Sequence, residues 1–90
     1  MKSSTFRLTA FDEGSVTGTP DNLRLVCLEE SGGKLAIWGK QGARRNIDAV
    51  LKTGMPCTVE CEWREPNPTH AAKFGHRYWV REDFSLKVVS

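Results

Sequence analysis

The sequence predicts an all-β chain of five strands with one short helix between the third and fourth. Three observations carry that expectation. Residues 57–63, Cys-Thr-Val-Glu-Cys-Glu-Trp, alternate strictly between apolar and polar, which is the period of a strand with one buried face. Residues 34–39, Lys-Leu-Ala-Ile-Trp-Gly, form a short run suited to a sheet. Between them, residues 45–52 put Ile47, Val50 and Leu51 at helical spacing, and Gly54 stands where a C-cap belongs.

The elements follow in order. Residues 4–11 form the first strand, with Phe6, Leu8 and Ala10 on one face; Phe11 breaks the parity, which predicts a bulge or the strand end there. Residues 12–22 hold two glycines and a proline and form a loop, with Val16 able to extend the first strand. The second strand, 23–30, turns Leu23, Leu25 and Cys27 inward and Arg24, Val26 and Leu28 outward. Ser31-Gly32-Gly33 is a hairpin turn into the third strand, where Leu35 and Ile37 point in and Ala36, Trp38 and Lys40 point out. Lys40-Gln41-Gly42 turns into the helix. The fourth strand, 56–64, sends Cys57, Val59, Cys61 and Trp63 inward and Thr58, Glu60, Glu62 and Arg64 outward. Residues 65–75 read as a long loop, because Pro66 and Pro68 exclude regular pairing at its start. The last strand, 76–89, turns Tyr78, Val80, Phe84, Leu86 and Val88 inward and Arg77, Trp79 and Arg81 outward, with a bend at Glu82-Asp83.

The order β-β-β-α-β-β resembles the OB-fold of single-stranded-DNA-binding proteins and replication protein A. The resemblance covers nearly the whole chain and rests on element order and loop placement rather than on a motif. It implies one domain over residues 1–90, a small five-stranded Greek-key barrel. In that fold the face of strands two and three, with the loops after the first strand and before the last, binds oligonucleotides or oligosaccharides. The chain departs from the pattern at Gly14 and Gly18, which fall late for the glycine or bulge usual inside the first strand.

Composition bounds the function. Ninety residues suffice for one small core and not for a large catalytic cleft. With 39% hydrophobic and 27% charged residues, the chain has the composition of an ordinary folded domain rather than a disordered one. A net charge of +2 is too small to argue for nucleic acid by itself, so charge placement has to decide; bases concentrate at 40–45 and 73–81. Three cysteines, Cys27, Cys57 and Cys61, lie in apolar-patterned strands and read as buried thiols in a reducing compartment. No apolar run follows Met1-Lys2 and no segment approaches a membrane span, so the expected location is cytoplasmic, without a membrane partner.

Strand parity places Trp38 and Trp79 on the solvent side with basic neighbours. Single-strand binders need that combination, because a π-face stacks on any base and cations track the phosphates. Each stack is worth about 1–3 kcal/mol, more than the 0–1 kcal/mol or so of an exposed ion pair, so the rings would dominate over the modest charge. The expected surface for single-stranded DNA or RNA is Arg24, Trp38, Lys40, Lys73, Phe74, Arg77, Trp79 and Arg81. Trp38 either takes this exposed position or packs under the helix or the first loop. Phe74 either stacks on a base or tucks back over the barrel. Trp63 reads as core. A protein-interaction or assembly module using the same aromatics is the rival, since Trp, Tyr and Arg also make protein hot spots.

No enzyme, metal or cofactor is expected. Cys57 and Cys61 sit four residues apart on a strand, about 13 Å, whereas zinc needs thiolates about 2.3 Å from one ion. Gly39-Lys-Gln-Gly42 is too short for a phosphate loop, and an inward Cys61 could not act as a nucleophile with His76. Glu60 and Glu62 read as a solubilising strand face.

Overall fold

The structure is a computed structural model that describes residues 1–12 and 22–90. Of the expected loop at 12–22 only Asp12 and Asn22 are described, and the question of Val16 lies outside the described residues. The elements are β1 (Lys2–Phe11), β2 (Leu23–Glu29), β3 (Lys34–Gly39), α1 (Ala43–Thr53), β4 (Cys57–Trp63), α2 (Pro68–Phe74), β5 (His76–Val80) and β6 (Leu86–Val88).

The strands form one six-stranded mixed sheet in the order β5-β3-β2-β1-β4-β6. All neighbours are antiparallel except β3 and β5, which run parallel. The sheet is open, with β5 at one edge and β6 at the other. Past the end of β4, Arg64 bridges to β5: Arg64 N–H donates to Trp79 O at 3.0 Å and Trp79 N–H to Arg64 O at 2.9 Å. β1 ends at Phe11, one of the two expected outcomes there, and its register against β2 shifts earlier, between Leu8 and Ala10.

The inward residues meet in one core. Phe6, Leu8, Leu23, Leu25, Cys27, Leu35, Ile37, Cys57, Val59, Cys61 and Val80 pack against Ala43, Ile47 and Val50 of α1, and Phe84 joins them. Tyr78, Leu86, Val88 and Trp63 pack partly buried on its margin, and Trp63 Nε1–H donates to Ser4 Oγ at 2.9 Å. The buried face of α1 is Ala43, Asn46, Ile47 and Val50, the i, i+3, i+4, i+7 set. Leu51, one step round from Val50, is exposed instead. Asn46 is almost fully buried because its Nδ2 donates to the carbonyl of Phe84 at 2.9 Å. The three cysteines are free and buried; burial pushes the Cys27 and Cys61 thiols up to about 12 and raises that of Cys57.

Two expectations need correction. The last strand is not continuous, so the sheet has six strands and not five. Phe84 N–H donates to Arg81 O at 3.1 Å in a turn that drops the Phe84 ring into the core, after which the chain crosses to pair with β4 as β6. The bend expected at Glu82-Asp83 lies in this turn; the alternation on either side of it does not show that the second half changes partner. The loop at 65–75 is largely helix. Asn67 caps α2 by accepting from His70 N–H at 2.8 Å, Pro68 opens it, and Gly75 closes it in the left-handed conformation at φ 71°. The prolines that exclude a strand are suited to a helix start, where the missing N–H costs nothing.

Candidate functional site

The register of three strands assembles one aromatic surface on the face opposite the core. Arg24 pairs with Trp38, Val26 with Ala36, and Ala36 with Trp79, so alternation turns this set together away from the core. Trp38 and Trp79 are both half-buried, their ring centroids 6.5 Å apart. Val26 and Ala36, expected to point outward, do so and are nevertheless fully buried, at 1% and 0% exposure.

Helix α2 is what crosses that face. His70 stands edge-on to Trp38 at 4.5 Å between ring centroids, and Phe74 stands edge-on at 6.2 Å. His76 joins from β5: its ring lies 6.4 Å from Trp38 and stacks on Phe74 at 5.5 Å and 19°. A register shift makes this possible. Lys34 pairs with His76 and Leu35 with Tyr78, so one extra residue on β5 breaks the alternation between them. His76 and Trp79, an odd number of residues apart, thereby reach the same ring, while Tyr78 turns to the core margin and packs against Phe6 at 4.5 Å.

Cations rim the cluster. The Arg24 guanidinium and the Lys73 ammonium each lie 5.3 Å from the Phe74 ring centre. Arg81 and Arg64 lie 5.6 and 5.8 Å from that of Trp79. These are cation–π distances, and they hold four positive charges around a surface of rings. Arg81 also pairs with Asp83 at 3.5 Å, an exposed contact of small energetic worth.

Both indoles are tethered by their N–H groups. Trp79 Nε1–H donates to the backbone carbonyl of Trp38 at 3.0 Å, and Trp38 Nε1–H donates to Asn22 Oδ1. The N–H groups are thus used within the protein, which leaves stacking as the way a ligand would meet these rings.

Six of the eight expected residues converge here: Arg24, Trp38, Lys73, Phe74, Trp79 and Arg81. Arg77 does not; it is exposed and its guanidinium lies over Tyr78 at 5.7 Å. Lys40 does not either; it is exposed beyond β3, and its backbone N–H donates to Glu82 Oε2 at 3.1 Å. Glu82 also lies against Gly42, the residue that opens α1, so a carboxylate of the chain itself stands near that helix start. Three members escaped sequence reasoning. Arg64 was legible as an outward β4 residue, but its meeting with Trp79 depends on the bridge. His70 and His76 were legible only as residues of a loop and a strand start.

The polar outer side of β1, β4 and β6 is a different surface. Thr5, Glu60, Glu62 and Lys87 line an open hollow of about 520 Å³ there. Among the described residues no His, Cys, Asp and Glu side chains gather as a metal site, and no helix is long and apolar enough to cross a membrane. No family model, no curated protein and no solved structure matches the chain.

Proposed function

We propose that this chain is a single-stranded nucleic-acid-binding module of the OB type. The observation that carries the reading is the pair of adjacent indoles on the outer face of β3 and β5, ringed by Arg24, Arg64, Lys73 and Arg81. The fold supports it: β1 pairs with both β2 and β4, a helix separates β3 from β4, and β5 returns parallel to β3. That is the connectivity expected of an OB barrel, with β6 as an added strand, and the aromatic surface falls on the strand 2–3 side that such barrels use.

The mechanism is stacking with electrostatic tracking. Bases lie on the π-faces of Trp38 and Trp79, each worth about 1–3 kcal/mol, and the four cations neutralise phosphates. With both indole N–H groups already bonded, neither reads a base edge, so sequence preference is weak. No covalent step or bound metal enters this mechanism.

Tryptophan fluorescence during titration with oligo-dT, at two salt concentrations, tests it. Quenching that weakens with salt, with a log–log slope near −0.7 per phosphate neutralised, is the expected result. The absence of quenching overturns it. A polypeptide partner on the same rings is the second reading, favoured by the half-burial of Trp38 and Trp79, and it predicts binding that salt barely affects.

A further inference from the structure

We propose that α2 is a displaceable cover on this interface: the rings of His70 and Phe74 stand on Trp38 where a nucleobase would lie, and single-stranded nucleic acid binds by moving them away. The proposal rests on the nucleic-acid reading above and concerns how that site is regulated.

The attachments of α2 and of the indoles differ in kind. The helix is seven residues long and none of them is buried. Its hydrogen bonds run to its own caps, from His70 N–H to Asn67 Oδ1 and from Gly75 N–H to Ala71 O at 2.9 Å. It meets β3 through rings, His70 and Phe74 against Trp38. The indoles are held by directional bonds instead. Trp38 is tied to Asn22 and Trp79 to the Trp38 carbonyl, and the Trp79 backbone pairs with Ala36 on one side and Arg64 on the other. Among the described residues, lifting α2 gives up the contacts of its rings with Trp38 and His76 and that of Phe74 with Arg24, and it leaves the Trp38–Trp79 platform in place.

The C-terminal end of α2 is the one built to turn: Gly75 sits at φ 71°, a conformation that costs glycine little, whereas Pro66 and Pro68 stiffen the other end. Lys73 travels with the helix, while Arg24, whose guanidinium also lies over Phe74, belongs to β2 and stays with the sheet. The exchange replaces a ring from the chain by a ring from the ligand. Apparent affinity is then the intrinsic affinity multiplied by the fraction of molecules in which α2 is lifted.

The test compares wild type with a His70→Ala/Phe74→Ala variant in oligo-dT titrations followed by tryptophan fluorescence. The cover predicts that the variant binds several-fold to about tenfold more tightly, since the uncovered fraction approaches one. Unchanged or weaker binding by the variant, with wild type still binding, removes the cover and leaves the nucleic-acid reading intact. If neither protein binds, both ideas fall. Should the variant fail to fold, nuclear Overhauser contacts between the rings of His70 and Phe74 and that of Trp38 in wild type decide. Saturating oligo-dT is expected to abolish them, and their persistence in the bound protein overturns the proposal.

Discussion

The indole N–H of Trp79 donates to the backbone carbonyl of Trp38 across 3.0 Å, and this bond couples the edge strand β5 to the aromatic surface on β3. It adds to the backbone pairing of Trp79 with Ala36 and with Arg64. One residue thus joins the parallel pair, the bridge to β4 and the candidate site, so a change at Trp79 acts on binding and on local order together.

Trp79→Ala is expected to weaken oligo-dT binding by about 1–3 kcal/mol, the worth of one base stack. Trp79→Phe keeps a ring and loses the N–H, and should fall between Ala and wild type. Fluorescence from Trp38 still reports binding in both variants. Affinity for Trp79→Ala equal to that of wild type would remove Trp79 from the interface.

Arg64 and Arg81 flank the Trp79 ring and are expected to touch phosphate. Arg64→Gln and Arg81→Gln should each lower the steepness of the salt dependence by about 0.7. The check is affinity measured across a salt series for each variant. Arg77→Gln, on the other side of β5 over Tyr78, serves as the control and should leave the slope unchanged.

Gly39 is required by the close approach of Glu82. A Cβ at position 39 would lie 2.9 Å from Glu82 Cδ and 3.0 Å from its Cβ. Gly39→Ala therefore turns the flexible Glu82 carboxylate away from the Lys40 N–H and should cost about 0.5–1.5 kcal/mol, the worth of that one hydrogen bond. Denaturant unfolding of Gly39→Ala, Glu82→Ala and the double variant checks this. The double variant should be more stable than the sum of the two single losses implies, because removing the carboxylate opens room for the methyl group.

The buried thiols set an alkaline limit. An unfolded cysteine ionises near its ordinary value of 9.0, whereas burial holds Cys27 and Cys61 neutral up to about 12. Between those values the unfolded chain has released protons that the folded chain retains, so stability is full below pH 9 and declines as pH rises toward 12. Unfolding followed across that range should show the decline, and a Cys27→Ala/Cys61→Ala variant should show less of it. At neutral pH the native protein should resist thiol reagents, and the unfolded chain should react at all three cysteines.

Much of the core was legible in the sequence, for a simple reason. Side-chain direction in a strand follows a period of two, and a one-residue error would have turned Leu25, Ile37 or Val59 away from the core. The alternating runs therefore assign the inner face before any pairing is known, and the helix between β3 and β4 follows from Ile47, Val50 and Gly54. Helix α2 was also written locally, in Asn67, Pro68 and Gly75, and was overlooked because prolines were weighed only against strands.

Long-range pairing decided the rest. The bend at Glu82-Asp83 is local to residues 76–89, but that their first half joins β3 in parallel and their second half joins β4 is not, since both halves alternate in the same way. The extra residue that brings His76 and Trp79 onto one ring exists only in the register between β3 and β5. Trp38 shows the division most clearly. Its outward direction is a property of its own strand, whereas its cover of His70 and Phe74 comes from a helix some thirty residues further along. A chain's periodicity reports which side a residue faces, and only closure of distant segments determines what it meets there.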